Sequence, residues 1–285
     1  MRFISKKTIP FICYDFLQMN VTLALKILIP LMNFQLNQIP ERTSVPRTNG
    51  ITMIMDKGLS IAEVQNFISI ARPYIDLVKF GFGTAMVTPN LKEKIQVYKN
   101  ASIPIYFGGT LFEAFVIRNQ FEDYIKMIKE YELDFVEVSD GSMTIDHATK
   151  CTYIERLAKE GVKVLSEVGS KDATHIIPPY KWIELMRSEL AAGSTYVIAE
   201  AREAGNVGIY RGTGEVREGL VQEILTQIPA EKIIWEAPQK SQQVYFFQLL
   251  GANVNLGNIA PNDVIPLEAT RIGLRGDTFH FYLDK

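Results

Sequence analysis

Ionisable side chains recur at one kind of place in this chain, at or just beyond the end of short apolar and β-branched runs. Asp56 and Lys57 follow the run 51–55, Lys79 lies in 75–80, and Glu137 and Asp140 lie in or just after 135–139. Glu167 belongs to the run 163–168, and Glu200, Arg202 and Glu203 close or follow 195–200. Glu236 ends the run 232–236, with Lys240 in the loop beyond it. The run 103–107 leads into Gly108-Gly109, and 253–256 carries Asn255 and leads to Asn258. Glu137, Glu167 and Glu200 offer the hard oxygen ligands that Mg²⁺ takes from a protein, alongside water and substrate oxygens. Lys57, Lys79, Arg202 and Lys240 suit an anionic substrate. Together they imply a phosphorylated anion handled with magnesium.

Such residues act only if the fold gathers them. The runs start 24, 28, 32, 28, 32, 37 and 21 residues apart, the length of a strand, a crossover helix and two loops. The segments between them carry helix signals. Ser60-Ile61-Ala62-Glu63 and Thr110-Leu111-Phe112-Glu113 read as capping boxes, and Thr88-Pro89 reads as an N-cap with a first-turn proline. Eight β/α units predict a (β/α)₈ barrel, with a doubly wound open sheet as the competitor. Barrel active sites lie at the C-terminal ends of the strands, where these ionisable groups fall. The loops after the seventh and eighth strands form the habitual phosphate site of that fold. Lys240, Ser241, Gly257, Asn255 and Asn258 are therefore expected to bind phosphate or substrate, as is Gly109 after the third strand.

Composition narrows the alternatives. Among 285 residues, 30 basic and 32 acidic side chains give a net charge of −2, with no basic surplus for nucleic acid. Cys13 and Cys151 are the two cysteines, too few for a disulfide framework or a cysteine zinc site, which fits a reducing, cytoplasmic setting. Residues 1–32 stand apart from the barrel domain, 33–285. Arg2, Lys6 and Lys7 precede an apolar stretch, but Asp15 and Lys26 interrupt it and no small-residue cleavage site follows. A charge near a bilayer centre costs about 2.5–3.5 kcal/mol, so the expectation is an appended or upstream-initiated extension without stable membrane association. A membrane tether is the alternative.

Several features have plain structural readings. Glu113 is expected to cap a helix, and Asp140-Gly141-Ser142 to form a turn. Gly212-Thr213-Gly214 is placed in the loop after the sixth strand, and Arg275 is paired with Asp277. Gly81-Phe82-Gly83 lacks the third glycine and the ribose-binding acid of a dinucleotide loop. His147 and His280 are read as surface residues.

Taken in order, these blocks resemble the phosphosulfolactate synthase family. They are Met55-Asp56-Lys57-Gly58, Val78-Lys79-Phe80-Gly81-Phe82-Gly83-Thr84, Gly108-Gly109-Thr110-Leu111-Phe112-Glu113 and Glu137-Val138-Ser139-Asp140-Gly141-Ser142. Glu167-Val168-Gly169, Glu200-Ala201-Arg202-Glu203-Ala204-Gly205 and Glu236-Ala237-Pro238-Gln239-Lys240-Ser241 follow, then Val254-Asn255-Leu256-Gly257-Asn258-Ile259 and Leu274-Arg275-Gly276-Asp277. Phe82, Phe107 and Ala201 replace the tryptophan, proline and glycine of the archaeal pattern. The resemblance implies a magnesium-dependent barrel that adds sulfite to phosphoenolpyruvate, giving 2-phospho-3-sulfolactate, the step that opens coenzyme M synthesis in methanogens. It extends to a plant heat-stress-associated protein. On this reading Lys79 or Lys57 protonates, Arg202 binds carboxylate or sulfite, and Lys240 with the amides near Gly257 binds phosphate. Magnesium falls to Glu137 and Glu167, with Glu200. Homo-oligomerisation is expected. A Schiff-base aldolase on the same fold and a non-catalytic stress protein are the competing functions.

Overall fold

Each strand is a short run buried on both faces, as a parallel barrel requires. In the computed structural model, described for residues 32–170 and 176–283, these are β1 (Thr52–Asp56), β2 (Leu77–Phe80), β3 (Ile105–Phe107), β4 (Phe135–Val138), β5 (Lys163–Val168), β6 (Ser194–Ala199), β7 (Ile233–Glu236) and β8 (Leu256–Ile259). All ladders are parallel, in the order β3-β2-β1-β8-β7-β6-β5-β4. β3 and β4 lie side by side without a ladder, so the ring is nearly closed. Helices surround it, the (β/α)₈ architecture expected above in place of an open sheet. The division into units falls between Gln35 and Leu36. The predicted extension, 1–32, lies outside the described residues except for Met32. Among the described residues no helix is long and apolar enough to cross a membrane.

Period-two alternation sorts the side chains. Met53, Leu77, Tyr106, Phe135, Leu165, Ile198 and Ile234 form an apolar cluster inside the ring. Neighbours such as Ile54, Val78, Phe107, Val136 and Val164 join the larger core of the helix layer. One step along from the inner apolar layer, Lys79, Glu137, Glu167, Glu200 and Glu236 face the same pocket. Asp56 has the other parity and is fully buried, bound by Lys94 Nζ at 2.7 Å and the Tyr98 hydroxyl at 2.9 Å. It also accepts the Gly58 and Leu59 N–H groups, closing the turn after β1.

Three local expectations need correction. The helix Leu91–Asn100 starts from Asn90, and Thr88 instead ends the short helix Thr84–Val87. The helix Gly109–Val116 has no side-chain cap; Glu113 instead accepts hydrogen bonds from Ser139 Oγ at 2.6 Å and Ser142 N–H at 2.7 Å. The eighth strand lies three residues later than 253–256. Thr52 pairs with Leu256 and Ile54 with Ile259, so β8 carries one extra residue, and Asn258 takes a left-handed φ of 56°. The Ser60–Glu63 capping box forms as expected, as does the Arg275–Asp277 pair.

Candidate active site

Lys79 is 5 % exposed and sits among acids. Its Nζ lies 2.9 Å from Glu137 Oε2, 3.4 Å from Glu236 Oε1 and 3.9 Å from Glu167 Oε2. Burial disfavours its charge, but Glu137, Glu236 and Glu167 together outweigh burial and hold it above the usual lysine range. The acids respond in the opposite sense. Burial pushes Glu137 up against the pull of Lys79, and Glu236 is pushed up to about 7 by burial, with Glu167 and Glu137 adding repulsion. Ala201 N–H donates to Glu236 Oε2 at 2.9 Å and holds that carboxylate in place.

Glu167, Glu200 and Glu236 bring one oxygen each within 4.8 Å of one another. Three hard, buried oxygen donors in an acid-rich pocket suit a divalent cation, which would relieve the repulsion that raises Glu236. The strand-end pattern in the sequence marks Glu236 as an acid but places magnesium on Glu137, Glu167 and Glu200; the inward parity of Glu236 with Ile234 is the signal that adds it to the set. Glu137 is engaged differently, by Lys79 and by Gly109 N–H at 2.6 Å. A Cβ on Gly109 would fall 2.4 Å from Ser139 Cβ and 2.8 Å from Glu137 Oε1. Gly109→Ala is therefore expected to displace Glu137, lower turnover at least tenfold, and cost about 1–3 kcal/mol in overpacking. Steady-state kinetics with thermal denaturation checks both.

The pocket, about 160 Å³, is also lined by Met55, Phe82, Arg202, Glu203 and Asn258. Arg202 stands at the rim with φ 57°, its N–H turned back to Glu200 Oε1. Lys57 pairs with Glu203 at 3.1 Å, both half-exposed. Asn258 is 6 % exposed, and its Oδ1 is buried without a hydrogen-bond partner among the described residues. The β8 bulge is what carries this amide into the pocket.

Other expected site residues lie elsewhere. Asn255 precedes β8, at the end of the barrel opposite the pocket. It accepts Ile51 N–H at 3.0 Å and donates to the Glu231 and Ile233 carbonyls, a structural tie between strand starts. Gly257 belongs to the packed interior, where a Cβ would meet Met53 Cε at 2.6 Å, so it offers no phosphate cradle. Lys240 is captured by Asp263 at 2.7 Å, and Ser241 lines a separate cavity beside Tyr245. Lys150 supports the site from behind. It is 1 % exposed and donates to the Glu167 main-chain oxygen at 2.6 Å while pairing with Asp140 and Glu189, each at 2.9 Å.

The sequence profile of the family described as (2R)-phospho-3-sulfolactate synthase (ComA) matches residues 40–277. The phosphosulfolactate synthase of Methanothermobacter thermautotrophicus is 42 % identical over 244 residues, covering 84 % of this chain and 95 % of that protein. That of Bacillus subtilis is 39 % identical over 245 residues, covering 85 % and 97 %. Protein HEAT-STRESS-ASSOCIATED 32 of Arabidopsis thaliana is more distant, 19 % identical over 256 residues, covering 81 % and 88 %. Among solved structures, 3-hexulose-6-phosphate synthase from Salmonella typhimurium superposes with a TM-score of 0.51 at 13 % identity, over 79 % of this chain and all of that one, a likeness of fold alone.

Proposed function

This chain belongs to the phosphosulfolactate synthase family, a lyase on a (β/α)₈ barrel, and from that premise we propose that it adds sulfite to phosphoenolpyruvate to give 2-phospho-3-sulfolactate. The observation that carries the reading is the meeting of Lys79 with Glu137, Glu167, Glu200 and Glu236 in one pocket at the strand ends.

In the proposed reaction the sulfite sulfur attacks the CH₂ carbon of phosphoenolpyruvate and the double-bond electrons move onto the carboxylate. Return of those electrons to C2 with a proton completes the product. Glu167, Glu200 and Glu236 would hold Mg²⁺, which supplies a positive charge where the substrate carboxylate becomes most negative. Lys79 is held charged by its acidic neighbours and so enters as an acid, delivering its proton to C2. A Schiff-base lysine must instead be neutral to attack a carbonyl, and the environment of Lys79 opposes that. Arg202 at the rim meets an anionic substrate group, and Asn258 lines the same pocket. Exposed pairs such as Lys57–Glu203 contribute about 0–1 kcal/mol, so Lys57 can exchange Glu203 for substrate at little cost.

The test is incubation with phosphoenolpyruvate, sulfite and Mg²⁺, followed by mass detection of the sulfonated phosphoester. A chelator should abolish its formation and added Mg²⁺ restore it. No product under any divalent cation, from a folded protein, would overturn the assignment.

A further inference from the structure

The segment Pro238-Gln239-Lys240-Ser241-Gln242-Gln243 opens the helix Lys240–Leu250 after β7, and two of its glutamines reach across to the loop that follows β6. That loop begins with a tight turn, 201–206, closed by Gly205 N–H to the Arg202 carbonyl and Asn206 N–H to the Ala201 carbonyl, each at 3.3 Å. Arg202 takes φ 57° and Gly205 φ 65°. A residue with a side chain keeps such a conformation only where its surroundings over-determine it.

Here the turn is held from two sides. On the pocket side, Ala201 N–H donates to Glu236 Oε2 at 2.9 Å and Arg202 N–H to Glu200 Oε1. On the far side, Gln242 Nε2 donates to the Gly205 carbonyl at 2.8 Å and Gln239 Nε2 to the Ala204 carbonyl at 2.7 Å. Gln242 is 1 % exposed and its amide is matched at both ends. Its Nε2 also donates to the Gly214 carbonyl at 3.1 Å, and its Oε1 accepts Gln239 N–H at 3.1 Å. A Cβ on Gly205 would fall 2.6 Å from Gln242 Nε2, so this close approach requires glycine. The glutamine amides fix the turn, and the turn's N–H groups fix two carboxylates.

We infer that Gln242, helped by Gln239, is a positioning residue. It clamps the 201–206 turn so that the turn's N–H groups orient Glu236 and Glu200 toward a divalent cation and Arg202 faces the anionic substrate. The inference deepens the proposed function and rests on it for the substrate group that Arg202 meets. The cation half stands apart from the reaction, because a carboxylate oriented by a fixed donor is a better metal ligand than one free to turn.

Mn²⁺ is the probe, titrated by electron paramagnetic resonance into the full-length protein and its Gln242→Met, Gln239→Ala and Gln243→Met variants without substrate. Gln242→Met keeps the side chain's bulk and removes its hydrogen bonds. Gln239 is exposed, so Gln239→Ala removes one tether without opening the core. Gln243 is as buried as Gln242 but donates to the Ala237 carbonyl, outside the turn, and controls for general loosening. Loss of an outer partner costs roughly 10–100-fold in metal affinity, so Gln242→Met should weaken Mn²⁺ binding about tenfold, with a smaller loss in Gln239→Ala and little change in Gln243→Met. In kinetics at saturating Mg²⁺, Gln242→Met should raise KM more than it lowers kcat, because Arg202 is misaimed while Lys79 is untouched. A raised KM for phosphoenolpyruvate would identify its carboxylate as the group Arg202 meets, and a raised KM for sulfite the sulfur oxyanion; KM unchanged for both would overturn the Arg202 half. Wild type that binds no Mn²⁺, Gln242→Met that binds it as tightly as wild type, or an equal loss in Gln243→Met would overturn the inference. The expected Mn²⁺ pattern without turnover in wild type would instead count against the proposed reaction alone.

Discussion

Lys79→Ala is expected to lower turnover by about 10²–10⁴-fold, the worth of a positioned proton donor. The same variant should lose stability. Three carboxylates lie within 4 Å of the Lys79 ammonium, and breaking a buried charge pair by removing one partner costs about 3–5 kcal/mol. Activity must therefore be measured where circular dichroism shows the variant folded, with Mg²⁺ present to offset part of the uncompensated charge. Lys79→Arg keeps the positive charge but not a usable proton, because guanidinium does not deprotonate in proteins. It should recover much of the stability and none of the rate. Turnover near wild type in either variant would remove Lys79 from the chemistry.

Glu236→Gln is expected to abolish tight divalent binding and cost at least about 10²-fold in turnover, yet to stabilise the metal-free protein at alkaline pH. The sign follows from proton linkage. Glu236 is pushed up to about 7 in the folded protein from an ordinary 4.5, so the folded state holds this proton more tightly than the unfolded chain. Its favourable contribution is complete below pH 4.5, falls as pH rises, and is gone above about 7. Glutamine never ionises and escapes that loss, on the order of 3 kcal/mol at 1.4 kcal/mol per pH unit. Profiles of melting temperature against pH in chelator should then separate as pH rises. The two proteins melt together near pH 4.5, and the variant melts several degrees higher at pH 8. Identical pH profiles would mean that Glu236 does not carry the repulsion assigned to it. Lys79 keeps Glu137 and Glu167 as partners in this variant, so the comparison is not confounded by a bare ammonium.

How far these positions could be read from the sequence depended on regularity. Lys79, Glu137, Glu167 and Glu200 were identifiable because a charged residue in a parallel strand has few places to go except the open end of a barrel. Asn255 and Asn258 could not be told apart, because the β8 bulge shifts the register and nothing in Val254-Asn255-Leu256-Gly257-Asn258 marks where the strand begins. Gly257 has the residue type of a phosphate loop, but it is small because Met53 fills the space beside it. Lys240 lies in the loop that the fold uses for phosphate, and only the three-dimensional arrangement shows Asp263 reaching it. The Thr110–Glu113 pattern is that of a capping box, yet Glu113 is drawn to Ser139 and Ser142 across the next β/α unit. Long-range partners of this kind leave no mark in local spacing.

The shared grip on a divalent cation and a small polyanion is tested most directly by diffraction from crystals grown with Mn²⁺ in place of Mg²⁺ and soaked with phosphoenolpyruvate. The expected anomalous peak lies between the carboxylates of Glu167, Glu200 and Glu236, with substrate density in contact with it and within reach of Lys79. A peak elsewhere on the molecule, or substrate density remote from Lys79, would contradict it.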